Sequence, residues 1–177
     1  MAARRSRGRR LSAEVHVADY DPAWPGLFEE ERARLEPILA PWLSGGIHHV
    51  GSTSVPGLAA KPVIDVLAGV RSLAESRAAV EPLRALSYCW APYKEEIMNW
   101  FCKPSPSHRT HHLHLVVAGS GTWRDELLFR DTLRAQPETA RAYEALKREL
   151  ADEHAHDREA YTHAKTDFVL GVLAREA

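Results

Sequence analysis

Three scarcities bound this sequence before anything in it is read as a motif. No apolar run approaches the roughly 20 residues that a membrane-crossing helix requires, so a membrane partner is not expected. Only two cysteines occur, Cys89 and Cys102, and their spacing fits no zinc motif. A disulfide framework and a zinc ribbon are therefore both excluded in favour of two reduced, half-buried thiols. Lysine is scarce as well, with five (61, 94, 103, 147 and 165) among 23 basic residues. In so Arg-biased a chain, a lysine marks a position where a compact ammonium serves better than a planar guanidinium.

What is present describes one folded domain. A chain of 177 residues can bury a real core but is short for two domains, and 45% hydrophobic with 27% charged residues is an ordinary globular balance. The net charge of −1 is unevenly spread: Arg4, Arg5, Arg7, Arg9 and Arg10 put +5 on the first ten residues and leave −6 on the rest. With no apolar residue following to order it, residues 1–12 read as a disordered Arg-rich tail, and 13–177 as the domain. Contact of this tail with nucleic acid is the weaker reading. The tail lacks the apolar segment of a secretory signal, so a cytoplasmic location is expected.

The densest chemistry lies between His48 and Val70, HHVGSTSVPGLAAKPVIDVLAGV. A short apolar strand ends at Gly51-Ser52, a turn of small residues follows, and an apolar run from Val63 to Val70 carries one charge, Asp65. Small residues let backbone N–H groups approach an anion, and Ser and Thr hydroxyls add donors. A lone carboxylate in an apolar strand is costly unless paired or bound to metal. The two features read as a phosphate cradle beside a metal-binding aspartate, the arrangement that grips a nucleoside triphosphate.

A Gly-Ser turn after a strand, with a strand-borne Asp thirteen positions beyond Ser52, resembles the nucleotidyltransferase superfamily, and the string GSTSVPGLAAKPVIDVL is similar to the signature of its GrpB branch. The resemblance extends to Tyr20-Asp21-Pro22-Ala23-Trp24, HHLHLVV, FRDTLR and Tyr161…Lys165, covering roughly residues 17–175. It implies an α/β fold, a mixed β-sheet backed by helices with a helical C-terminal layer. It also implies that Gly51 and Ser52 meet the β- and γ-phosphates. Some relatives resemble a module joined to dephospho-CoA kinases.

Periodicity gives the remaining elements. Leu11 to Val17 alternates weakly as an edge strand, Asp21-Pro22 starts a helix that Pro37 should kink, and Gly45-Gly46 ends that segment. Ile47–Val50 and Val63–Val70 read as strands, the second with Val63, Asp65 and Leu67 on one face and Ile64, Val66 and Ala68 on the other. Ser72-x-x-Glu75 caps a helix that Pro82 weakens. Ser87–Trp90, Ile97–Lys103 and His111–Ala118 read as strands, the last placing His112 and His114 on one face. Helices capped by Thr122, opened by Pro137 and begun near Asp157 complete the chain, and HAHD at 154–157 reads as a polar turn rather than a metal tract.

Candidate site residues follow. Asp65, His112 and His114 are the expected catalytic and metal-binding set. Gly51, Ser52, Thr53, Lys61, Lys103, Arg109, Arg130 and Lys165 are expected around phosphate. The superfamily pattern implies a second acid two positions after Asp65, where this chain has Leu67. His112 and His114, about 6.6–7 Å apart along a strand, can stand in for it, favouring Mn²⁺, Zn²⁺ or Fe²⁺ over Mg²⁺. The alternatives are a phosphate-binding or general-base pair, and packed core histidines. Arg130, with Arg134 one turn on, reads both as a nucleotide contact and as part of an exposed ion-pair network. The expected activity is nucleotidyl transfer from an NTP to an acceptor, with Mg²⁺ or Mn²⁺. A non-catalytic nucleotide-binding module and a metal-dependent phosphohydrolase are its rivals.

Overall fold

The computed structural model describes residues 14–176, and the Arg-rich tail lies outside them. Helix α1 (Trp24–Leu39) is followed by strands β1 (Leu43–Val50) and β2 (Ile64–Val70), the short helices α2 (Leu73–Ser76) and α3 (Val80–Arg84), and strands β3 (Cys89–Ala91), β4 (Asn99–Pro104) and β5 (Arg109–Val117). Four helices close the chain: α4 (Gly121–Ala135), α5 (Pro137–Glu153), α6 (Arg158–Ala164) and α7 (Thr166–Glu176). The strands form one mixed sheet in the order β1-β2-β5-β4-β3, in which only the β2–β5 pair is parallel.

Alternation along the strands sorts the core into two layers. Ile64, Val66, Ala68 and Val70 face α1 and α3, where Trp24, Phe28, Leu35, Leu39 and Leu83 meet them with Phe101, Leu113 and Leu115. Leu67 lies on the opposite face with Val50, Trp100, Cys102 and Val116, and α4 packs there through Trp123 and Leu127. The remaining helices cover the long β1–β2 connection. Val55 and Leu58 bury against Leu133 and Tyr143, and Ala59 against Leu150 and Tyr161. Loop and C-terminal layer therefore share a core of their own.

Several local expectations change. Residues 14–17 form no strand, and Ala18 makes a single bridge to Ala60; residues 11–13 of that expected strand lie outside the described residues. Asp21 does not cap α1 directly: its Oδ1 accepts from the Ala23 N–H and turns the chain into the helix. Pro37 sits in the last turn of α1 and leaves the helix continuous, because a late proline disturbs few hydrogen bonds. Gly45-Gly46 does not end a segment but lies inside β1, opposite Gly69. A Cβ at Gly45 or Gly69 would meet the Trp123 ring at 2.9 or 2.8 Å, so the glycines form the indole's seat. Ser120, not Thr122, caps α4, accepting from the Trp123 N–H. Ser72 caps α2 as its spacing suggests, and 154–157 is a turn whose Asp157 caps α6.

The first sheet face also holds a buried ion pair. Lys103 Nζ donates to Glu31 Oε2 at 2.5 Å, and the Tyr88 hydroxyl donates to Glu31 Oε1 at 2.9 Å. Glu31 and Tyr88 are each only 2% exposed, so removing the cation strands a carboxylate. Lys103→Met should cost about 3–5 kcal/mol of stability, and Glu31→Gln combined with Lys103→Met should recover part of that loss. Urea midpoints of the wild type, single and double variants check this. Equal midpoints for the wild type and the single variant would contradict it.

Candidate functional site

The register of the central strands assembles the site. Asp65 on β2 stands opposite His112 on the parallel strand β5 and opposite Val50 on β1, and Leu67 stands opposite His114. Asp65, His112 and His114 thus point from one face, and one ligand atom from each lies within 4.8 Å of the others. Asp65 Oδ1 lies 2.8 Å from His112 Nδ1. His114 Nδ1 lies 3.1 Å from Glu126 Oε1 and 3.2 Å from Oε2, reached from α4. Each imidazole therefore has its Nδ1 side held by a carboxylate, which fixes ring orientation and leaves Nε2 to turn toward a ligand. Among the described residues His112 Nε2 is buried without a hydrogen-bond partner, an arrangement that a bound cation or polar ligand would complete. The donor set, one carboxylate and two imidazoles, suits a divalent transition metal.

The electrostatics agree with this division. Burial works against ionised Asp65, but the hydrogen bond and charge of His112, with His114 and Lys61 beyond, outweigh it and hold the carboxyl below its usual range. Burial pushes the His112 pKa down, against the opposing pull of Asp65. Burial also opposes protonation of His114, yet the charge and hydrogen bond of Glu126, with Asp65 behind, raise its pKa.

The small-residue turn lies directly on this cluster. Gly51 adopts φ +67°, and a Cβ built there would strike Asp65 Oδ2 and lie 3.0 Å from its Cβ, so only glycine lets the backbone rest on the carboxylate. Ser52 follows, half-buried, close enough to Tyr143 of α5 to act on its phenol. Thr53 is not available to phosphate. It is buried, its hydroxyl donates to the Val63 carbonyl at 3.1 Å, and it accepts from His49 Nε2 at 3.0 Å. His49 stacks on Phe28 with ring centroids 4.7 Å apart, bracing the turn from the core side. Ser54 closes the turn on itself, donating to the Gly51 carbonyl at 2.6 Å.

The expected cations divide into three groups. Lys61 and Lys165 come together at one ring, 4.8 and 4.3 Å from the Tyr161 centroid, and both feel the Asp65 charge. Arg109 lies over Trp100 at 5.0 Å, and Trp100 is tilted against His112 at 5.1 Å, which puts the guanidinium on the rim of the histidine face. Lys103 does not belong to the cluster. It is paired in register with His111, one position off the His112 face, and is bound to Glu31 on the other side of the sheet. Arg130 does not reach into the cluster as a free cation either: it is ion-paired with Asp131 at 2.7 Å and donates to the His49 carbonyl at 3.2 Å. Arg134 donates twice to the Ser54 carbonyl, at 3.0 and 2.7 Å. The FRDTLR arginines are thus struts for the loop backbone.

Three contributors had no local signal in the sequence. Glu126 supplies from a helix a carboxylate that strand position 67 lacks, while Leu67 is fully buried. Tyr143 of α5 lies beside Ser52. Lys147, buried on α5, donates to the Ala59 carbonyl, while Glu144 Oε2 accepts from the Ala59 N–H at 3.0 Å. Only the lysine scarcity hinted at Lys147.

Comparison with known proteins places these features in a family. The family model described as GrpB protein matches residues 14–175. The chain is 40% identical over 166 residues to a UPF0157 protein of Pseudomonas aeruginosa, covering 91% of this chain and 67% of that protein. It is 35% identical over 156 residues to a UPF0157 protein of Bacillus subtilis, covering 88% of this chain but only 45% of that longer relative. The crystal structure of conserved protein GrpB from Enterococcus faecalis superposes with a TM-score of 0.81 at 32% identity, over 90% of this chain and 96% of that one.

Two outcomes follow from the turn. Gly51→Ala forces a side chain into a left-handed backbone against Asp65 and should cost about 2 kcal/mol or more, read from urea unfolding. An unchanged midpoint would contradict the contact. His49, desolvated by burial, has its pKa pushed down from 6.5 to about 4. Between those values the unfolded chain binds a proton that the folded chain does not, so stability is lost as pH falls through that window, by up to about 3 kcal/mol. His49→Gln should flatten the dependence between pH 7 and 4.5, and an identical slope in the variant would contradict it.

Proposed function

Because the chain belongs to the GrpB family, we propose that it is a metal-dependent nucleotidyltransferase, binding a nucleoside triphosphate and passing its nucleotidyl group to an acceptor hydroxyl or amine. One observation carries this reading: the Gly51-Ser52 turn rests on the Asp65 carboxylate, on the sheet face that presents His112 and His114. A phosphate cradle and a cation-binding set then address one ligand from adjacent sides.

Asp65, His112 and His114 would hold the cation, with Glu126 orienting His114. Bound there, a divalent ion supplies charge neutralisation for the phosphates. The chain's own groups do the rest. The turn's backbone and the Ser52 hydroxyl orient the phosphate chain, and Lys61 adds positive charge beside it. Asp65, through the carboxylate oxygen that His112 does not engage, takes the proton of the acceptor. The acceptor oxygen or nitrogen forms a bond to the α-phosphorus as the bond from that phosphorus to the bridging oxygen breaks, and pyrophosphate leaves.

A second reading has its own support. Leu67, buried in the apolar layer, leaves β2 with a single carboxylate, as suits a module that binds nucleotide without turning it over. A dephospho-CoA kinase of Mycolicibacterium paratuberculosis is 31% identical over 181 residues spanning 44% of its length, which fits an accessory role.

The discriminating assay is pyrophosphate release from a panel of NTPs with Mn²⁺ and hydroxyl or amine acceptors. Transfer predicts release that Asp65→Asn lowers by about 100-fold or more. A thermal shift with nucleotide but no release would establish the binding module, and free nucleotide without acceptor would establish a hydrolase.

A further inference from the structure

Three of the five lysines gather at the edge of the turn, from three separate segments. Lys61 precedes β2, Lys147 lies on α5, and Lys165 follows α6. Lys61 and Lys165 share the Tyr161 ring, and Lys147 lies 5.0 Å from the centroid of Tyr143, the tyrosine beside Ser52. A cation over an aromatic face is partly stabilised, but the ring's quadrupole carries no net charge. Among the described residues none of the three is ion-paired to a carboxylate within 4.0 Å. Buried or half-buried ammonium groups normally come with a partner, because their desolvation is otherwise uncompensated.

No internal group supplies the counter-charge. Burial pushes the Tyr161 phenol up to about 12 and raises Tyr143 further, so both rings stay neutral. Asp65 is the acid that acts on both Lys61 and Lys165, and it is already engaged with His112. Glu144 acts on Lys147, but it accepts from Arg148 and from the Ala59 N–H. Arg109 and Arg158 add positive charge around Lys61. Burial lowers Lys61 to about 8, burial with the Lys61 charge lowers Lys165 to about 8, and burial with the Lys165 charge lowers Lys147 to about 7.

We infer that Lys61, Lys165 and Lys147, set around Tyr161 and Tyr143, form a seat for a polyphosphate chain carrying several negative charges. The inference rests on the proposal of a triphosphate ligand, and it assigns the terminal phosphates to the C-terminal helical layer rather than to the Gly51 turn alone. Lys61 and Lys165, both half-exposed, touch the anion. Lys147, fully buried behind the loop, adds field without contact. Docking of the polyphosphate replaces the missing counter-ions, and the same event fixes α5 and the α6–α7 junction against the loop.

Titration calorimetry with inorganic tripolyphosphate in metal-free buffer tests this on the full chain. The wild type should bind, Lys61→Gln and Lys165→Gln should each weaken binding about tenfold or more, and Lys147→Met should weaken it by less. Lys94→Gln, an exposed lysine on the β3–β4 turn, should bind as the wild type does. Because each buried cation is uncompensated without ligand, Lys165→Gln should keep or raise the melting temperature of the free protein. Absence of tripolyphosphate binding, equal binding by the lysine variants, or a marked loss of free-protein stability in Lys165→Gln would each overturn the assignment. Failure of the transferase proposal looks different: lysine-dependent tripolyphosphate binding persists while no NTP yields pyrophosphate.

Discussion

The backbone of Gly51 lying on the carboxylate of Asp65 is the contact from which the rest of this site follows. Two segments with opposite requirements meet there, a turn that offers donors to anions and a strand carboxylate that needs a cation. Neither is stable alone in that position. The carboxylate is tolerated in an apolar strand because His112 binds it, and the turn is tolerated because its own polar groups are consumed by braces on both sides. The Ser52 side of the turn and the unpartnered His112 Nε2 define where a ligand's phosphates and a cation would sit.

The architecture serves that contact from three directions. The parallel β2–β5 pairing aligns Asp65 with His112, and the same lateral row continues through Cys102 to Cys89. Helix α4 holds the end of β1 by Arg130 at the His49 carbonyl and the turn by Arg134 at the Ser54 carbonyl, while its Glu126 steadies His114. Helix α5 clasps Ala59 through Lys147 and Glu144. The C-terminal layer is thus the frame that holds a long connection in one conformation, and a pre-organised loop loses little entropy when a ligand binds.

Much of this was legible in the residues. The alternation of β2 and β5 correctly separated Asp65, His112 and His114 from the packing face, because side-chain period in a strand is a local property. The mixed α/β fold with its helical C-terminal layer is what the family resemblance implies, and the order of patterns along the chain agrees with it. The misassignments share one cause. Proximity in the chain puts Lys103 and Thr53 near phosphate, but whether β4 turns Lys103 to the histidine face or to Glu31 depends on its register against β5. Whether Thr53 faces solvent depends on His49 and Val63 meeting across the turn. Glu126, Tyr143 and Lys147 were silent for a related reason: on an amphipathic helix a functional polar residue looks like any solvated one until its tertiary partner is known. The FRDTLR arginines carry a real signal, and in the fold both brace the backbone on either side of the turn.

The central claim is that turn and strand build one pocket for a cation and a phosphate chain. Anomalous diffraction at the manganese edge, from crystals soaked with Mn²⁺ and a non-hydrolysable ATP analogue, tests it most directly. The account predicts a manganese peak bonded to Asp65 and to imidazole nitrogens of His112 and His114, with phosphate density between it and Ser52. A well-ordered site with manganese elsewhere, or with the nucleotide bound away from the Gly51 turn, would contradict it.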